Sequence, residues 1–161
     1  MDEFARAAQL LGERLVARAW RVGTAESCTG GWVAKVLTDI AGSSRWFERG
    51  FVTYANEAKI EMLGVAAETL ARHGAVSEAT VREMAAGVLR HSHADVAVAV
   101  SGIAGPAGGS ADKPVGLVWL AFARRDAQIS VQRHQFTGDR AAVREAAVKA
   151  ALAGLLALSL P

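Results

Sequence analysis

Glu26-Ser27-Cys28-Thr29-Gly30-Gly31 sets two nucleophile types, a hydroxyl and a thiol, in a turn that ends in two glycines. A hydroxyl on the turn before a helix faces free backbone N–H groups, which carry partial positive charge and suit an oxyanion or a phosphate. The glycines allow close approach to the backbone. Ser27 there is either an acyl-transfer nucleophile, with the amides near Thr29, Gly30 and Gly31 as oxyanion donors, or simply a helix cap. Cys28 is the alternative nucleophile, because a helix N-terminus lowers a thiol pKa; it is equally a small core residue.

A serine needs a base. His73, His91, His93 and His134 all fall away from glycine-rich junctions, which disfavours a Ser/His arrangement. Lys59 follows a strand-to-helix junction. A buried lysine loses basicity and can accept a proton near neutral pH, whereas an exposed helical lysine cannot. Tyr54, the only tyrosine, is a proton relay, a substrate contact or a strand aromatic with a wet hydroxyl. The loop after Ser101 carries Gly102, Gly105, Pro106, Gly108 and Gly109. It suits backbone contact with a nucleotide or phosphate, but it is neither a Walker loop nor a dinucleotide fingerprint. Arg140 sits in the first turn of a helix, where a cation opposes the dipole and an anionic ligand explains it better. No HExxH, CxxC or clustered Asp/His set is present, so no metal site is expected.

The elements that must position these residues read as follows. Apolar residues recur at helical spacing from Asp2 to about Trp20, with Asp2 as N-cap. Arg21 to Ala25 reads as a strand, and Trp32 to Ile40 as a helix after the polar turn. Arg49 to Tyr54 is strand-like. Asn56 to Leu63 is a helix closed by Gly64, Ala66 to Arg72 another, and Ser77 caps a third from Glu78 to about His91. Asp95 to Val100 is continuously apolar, as a strand covered on both faces should be. Val115 to Ala123 and Ala127 to Phe136 form an antiparallel hairpin, and Asp139 caps a last helix, Arg140 to Leu158. The sum is a single-domain three-layer α/β/α sandwich over residues 1–161, with a mixed, mostly parallel sheet and a C-terminal antiparallel hairpin.

Length and composition agree with one folded domain. The 161 residues are 52% hydrophobic and 21% charged, which excludes disorder. A net charge of +2 with scattered Lys and Arg makes nucleic acid an unexpected partner. One cysteine and no signal-like or membrane-spanning stretch suggest a cytoplasmic protein.

Several strings in fixed order resemble a known family. They are TAESCTGG (24–31), GSSRWFERGFVTYANEAKIEMLGV (42–65), AVSEATVREMA (75–85), SGIAGPAGGSADKPVGLVW (101–119) and FTGDR (136–140). Together they look like the C-terminal domain of the competence/damage-inducible protein CinA, whose stand-alone forms are nicotinamide-mononucleotide deamidases. The resemblance implies hydrolysis of the nicotinamide carboxamide to nicotinate mononucleotide and ammonia, recycling pyridine nucleotide toward NAD. It implies a Ser/Lys dyad with no cofactor and no metal. Carried over, Ser27 is the nucleophile, Lys59 the base, Tyr54 and Ser44 assisting polar residues, and Arg140 a substrate-binding cation. Attack by Ser44 stays open; the helix-terminal amides favour Ser27. Gly105, Gly108 and Gly109 join Thr29, Gly30 and Gly31 as substrate contacts. The family also implies a homo-oligomer, taken as a dimer. Many relatives carry a further N-terminal domain; this chain begins almost directly at the deamidase-like part, so it is expected to be either the stand-alone form, which its initiating methionine favours, or a fragment. A catalytically silent interaction module, linked to competence or DNA damage, is the alternative.

Overall fold

The computed structural model describes residues 2–160; Met1 and Pro161, where the stand-alone expectation and the outer limits of the domain rest, lie outside them. Five strands form one sheet: β1 (Val22–Glu26), β2 (Phe47–Val52), β3 (Val96–Gly102), β4 (Leu117–Arg124) and β5 (Ser130–Gln135). Their order is β2-β1-β3-β4-β5. The helices are α1 (Glu3–Arg18), α2 (Trp32–Thr38), α3 (Asn56–Leu63), α4 (Ala67–His73), α5 (Glu78–Arg90) and α6 (Arg140–Leu158).

Local chemistry sets most boundaries. The side chains of Asp2, Ser77 and Asp139 accept the amides of Ala5, Thr80 and Ala142, as N-caps do. Gly64 closes α3 in the left-handed conformation that glycine adopts without steric cost. The second strand begins two residues earlier than its β-propensity suggests, directly after a 3-10 turn at Ser43–Arg45. It also ends earlier, because the Thr53 and Tyr54 carbonyls turn toward Lys59 instead of continuing a ladder.

Side-chain alternation builds two cores. Val96, Val98 and Val100 of β3, with Val118, Leu120 and Phe122 of β4, face α1, α2 and α6. Ala97, Ala99, Ala121 and Ala123 face α5. The face of small residues lets α5 lie close to the sheet, and Gly87 gives α3 room on α5: a Cβ there would overlap the Leu63 backbone. On the other face Gly154 of α6 makes space for the Phe122 ring. Leu11, Leu15, Leu152 and Leu155 are almost fully buried, each contributing roughly 1.5–3 kcal/mol.

The sheet is mixed, as the sequence suggests, but it is not mostly parallel. β1 pairs in parallel with β2 and β3, while β3–β4 and β4–β5 are antiparallel, an even division. The chain leaves β3 through the glycine-rich loop with no crossover helix, so it can only return antiparallel. One consequence positions the site. From β1 the chain passes through α2 to β2 on one side, and from β2 it crosses over to β3 on the other. The C-terminal ends of β1 and β3 therefore border a topological switch point, where open α/β sheets gather ligands.

Candidate active site

Ser27 follows the last residue of β1, and its amide donates to the Val100 carbonyl of β3 at 3.0 Å, extending the parallel pairing by one residue. Its hydroxyl does not cap α2. Gly31 is the N-cap, and the Glu26 carboxylate occupies the helix N-terminus. Glu26 accepts from the amides of Val33 at 2.8 Å and Ala34 at 3.0 Å, and from the Thr29 hydroxyl at 2.6 Å. The fully buried carboxylate thus satisfies orphan donors of α2 and anchors the turn that carries Ser27.

The partner of Ser27 is Lys59, in the first turns of α3 and only 1% exposed. Its Nζ lies 3.1 Å from Ser27 Oγ, 2.8 Å from the Thr53 carbonyl oxygen and 3.2 Å from the Tyr54 carbonyl oxygen. The structure pairs it with no carboxylate among the described residues. Burial without a counter-ion pushes its pKa below the ordinary lysine value. A neutral amine has two N–H bonds and one lone pair. The carbonyls can only accept, so they take the two N–H bonds, and the lone pair is left for the Ser27 hydroxyl. That is the arrangement of a nucleophile held by its base.

Gly30 donates its amide to the Ser27 carbonyl at 3.0 Å, and the Ser27 amide is bonded to β3. Among the described residues the amides of Cys28, Thr29 and Gly31 have no backbone acceptor, and of these three residues Cys28 lines the cavity beside Ser27. Arg144 of α6 holds this turn from behind, donating Nε–H to the Cys28 carbonyl at 3.0 Å and Nη2–H to the Thr29 carbonyl at 3.2 Å. The Cys28 thiol is buried, and desolvation pushes its pKa up to about 11. It is a protonated, weakly reactive thiol at neutral pH.

A cavity of about 250 Å³ opens on Ser27 and is lined also by Cys28, Tyr54, Arg140 and the loop from Gly102 to Gly108. Arg140 donates Nη1–H to the Gly105 carbonyl at 2.8 Å and Nη2–H to the Tyr54 hydroxyl at 3.3 Å, so it frames the mouth. Tyr54 is 62% exposed: its ring is at the rim and its carbonyl is at the base. A second hollow of about 340 Å³ lies on the far side of Arg140, against Gly138 and Asp139. Larger grooves of about 770 and 800 Å³ flank α1, but neither brings a hydroxyl or thiol beside a base.

The fold thus brings together Ser27, Lys59, Tyr54, Arg140, Gly105 and Gly108. Gly109 packs against Val115 outside the cavity. The Thr29 side chain is buried on Glu26, and Gly30 and Gly31 face Arg144 and Val52 rather than the cavity. Ser44 is not in the constellation. It lies exposed before β2, and the pairing of Val22 with Phe47 puts it at the opposite end of the sheet from Ser27. The five residues of β1 alone span roughly 16 Å. None of the four histidines lines the cavity. Among the described residues no three or more His, Cys, Asp and Glu side chains group as a metal site, and no helix is long and apolar enough to cross a membrane. Glu26 and Arg144 escape a motif reading. The signals for them were present: a carboxylate just ahead of a helix start, and a cation one turn beyond Arg140 on the same helix face.

Comparison with known proteins agrees with this architecture. The CinA C-terminal domain model matches residues 5–159. Nicotinamide-nucleotide amidohydrolase PncC of Escherichia coli strain K12 is 60% identical over 151 residues, covering 94% of this chain and 92% of that protein. The protein of the same name from Pseudomonas putida is 50% identical over 158 residues, 98% of each chain. The crystal structure of competence/damage-inducible protein CihA from Agrobacterium tumefaciens superposes with a TM-score of 0.97 at 47% identity, covering 99% of this chain and 98% of that one. By the match to its family model and by these relatives, the chain belongs to the CinA C-terminal domain family.

Proposed function

We propose that this chain hydrolyses the carboxamide of nicotinamide mononucleotide, giving nicotinate mononucleotide and ammonia, through a Ser27–Lys59 dyad. The observation that carries the reaction class is the buried, carboxylate-free Lys59 Nζ at 3.1 Å from Ser27 Oγ. The substrate comes from the relatives named as nicotinamide-nucleotide amidohydrolases, which cover nearly the whole chain. An interaction module with no chemistry has no use for an uncompensated lysine buried against a serine, since such burial costs stability.

Neutral Lys59 accepts the Ser27 proton as Oγ attacks the carboxamide carbon. The carbonyl oxygen becomes an oxyanion, which the backbone amide of Cys28, the residue of the turn that lines the cavity beside Ser27, receives. Lys59, now an ammonium, returns the proton to the amide nitrogen as the C–N bond breaks and ammonia leaves. A water then gives its proton to Lys59 and attacks the acyl-enzyme. Ser27 leaves with that proton, and nicotinate mononucleotide is released. Arg140 and the backbone of Gly105 and Gly108 hold the nucleotide, with the guanidinium on the phosphate. Tyr54 closes the rim over the ring. The chemistry calls for no cofactor.

We further place the protein in the cytoplasm, where its single thiol stays reduced, and as a homodimer. Neither a membrane nor nucleic acid enters the reaction. The test is ammonia release from nicotinamide mononucleotide by wild type and Ser27→Ala. Activity lost with Ser27 supports the reading. Activity retained moves the nucleophile elsewhere, and a folded wild type that releases no ammonia overturns the substrate.

A further inference from the structure

The turn that carries Ser27 is held from outside itself, by two hydrogen bonds from Arg144. Peptide units are planar and trans, so the carbonyl of one residue and the N–H of the next point in opposite directions. The Thr29 carbonyl belongs to the unit carrying the Gly30 N–H. That unit is fixed three times over, by Gly30 N–H to the Ser27 carbonyl at 3.0 Å, by Trp32 N–H to the Thr29 carbonyl at 3.0 Å, and by Arg144. The preceding unit differs. Its Thr29 N–H has no acceptor among the described residues, and its Cys28 carbonyl has one donor, Arg144 Nε–H at 3.0 Å.

Arg144 is itself held in place. Its guanidinium carbon lies 5.5 Å from the centre of the Trp32 ring, within cation–π range, and its Nη2 stands beside left-handed Gly30. The described residues give it no carboxylate, so its charge is spent on the carbonyl side of the turn. Arg140 sits one helical turn earlier on α6 and binds the opposite wall through the Gly105 carbonyl. One helix therefore fixes both walls of the cavity.

We infer that Arg144 is a positioning residue for acyl transfer: by gripping the Cys28 and Thr29 carbonyls it fixes the peptide units that follow Ser27, and with them the place of the Ser27 hydroxyl and of the Cys28 backbone at the cavity wall. This rests on the Ser27 acyl-transfer reading above. A lysine can offer a point charge but not the two-pronged grip.

The test compares wild type, Arg144→Met and Arg144→Lys by two readouts. One is steady-state ammonia release from nicotinamide mononucleotide. The other is the rate at which a small fluorophosphonate labels Ser27, since its phosphoryl oxygen takes the oxyanion position and needs no nucleotide recognition. Circular dichroism and thermal melting report folding, and rates are scaled to folded protein. The expected result is a fall of roughly 10- to 100-fold in both kcat and labelling rate for Arg144→Met, with KM within about threefold, and partial recovery for Arg144→Lys. Equal labelling rates per folded molecule in wild type and Arg144→Met overturn the inference while leaving the deamidase reading intact. If Arg144→Met does not fold, Arg144→Lys decides alone: wild-type kcat and labelling rate count against it, and a loss confined to kcat and labelling supports it. A folded wild type that neither releases ammonia nor is labelled overturns the acyl-transfer reading and this inference with it.

Discussion

Lys59 Nζ lies 3.1 Å from Ser27 Oγ, although 32 residues separate the two in sequence. Its other polar neighbours are the Thr53 and Tyr54 carbonyls, both obligate acceptors. The amine is thereby oriented by two main-chain oxygens just past the end of β2, and in its neutral form the lone pair is directed at the hydroxyl. Lys59→Met should lower kcat for ammonia release by roughly 10³-fold or more, the range seen when half of a nucleophile–base pair is removed. Fluorophosphonate labelling of Ser27 should slow in parallel. A variant that keeps wild-type kcat removes Lys59 from the role of base.

The direction of the Lys59 shift fixes the sign of the pH dependence. Burial lowers its pKa, so the neutral form required for attack is populated at lower pH than for an ordinary lysine near 10.4. Activity should therefore rise with pH along a single ascending limb whose midpoint lies below that value. Stability moves the same way. Between the lowered folded pKa and the unfolded one the unfolded chain binds the extra proton, so wild-type stability relative to Lys59→Met should increase with pH across that window. Denaturant melts of both proteins at several pH values measure the difference. A difference that stays flat or falls with pH contradicts the burial argument.

Cys28 borders the cavity but is not poised to react. Its thiol is held protonated, with a pKa near 11, by desolvation. Iodoacetamide at pH 7.5 should label the native protein far more slowly than the urea-unfolded chain, and Cys28→Ala should keep kcat within about threefold. Rapid, substrate-protected alkylation together with loss of activity in Cys28→Ala would instead mark the thiol as the nucleophile.

Glu26 holds the turn through three hydrogen bonds to a carboxylate that is 1% exposed. A glutamine keeps the size but brings an NH₂ toward donors, leaving at least one buried group unmatched. Glu26→Gln should cost on the order of 2 kcal/mol in urea unfolding. Because the same carboxylate anchors the Ser27–Gly31 segment, kcat should fall as well. Unchanged stability would show that the α2 amides find water or another acceptor.

Ser44→Ala should leave activity within about twofold and stability within about 0.5 kcal/mol, the usual range for an exposed position. The serine lies beyond the wrong end of the strands to reach the cavity. Loss of ammonia release in this variant would require an approach to the site that one copy of the chain does not provide.

Signals that act within a turn or two of the chain could be read without the structure. The caps Asp2, Ser77 and Asp139, the closing Gly64, the buried run Val96–Val100 and the strand–turn–helix around Ser27 depend on neighbours a few residues away, and sequence periodicity records such neighbours. The candidate serine, lysine, tyrosine and arginine could be named for the same reason: each lies at a junction that chain order exposes. What β3 and β4 do was settled less locally, because a glycine-rich loop and a crossover helix are both permitted by the same strand signals, and only the loop produces an antiparallel return. Whether Lys59 touches Ser27, why Ser44 does not, and that Arg144 and Glu26 both hold the turn depend on strand register and helix packing. Those are fixed by burying side chains from distant parts of the chain together, the one interaction with no local trace in the order of residues.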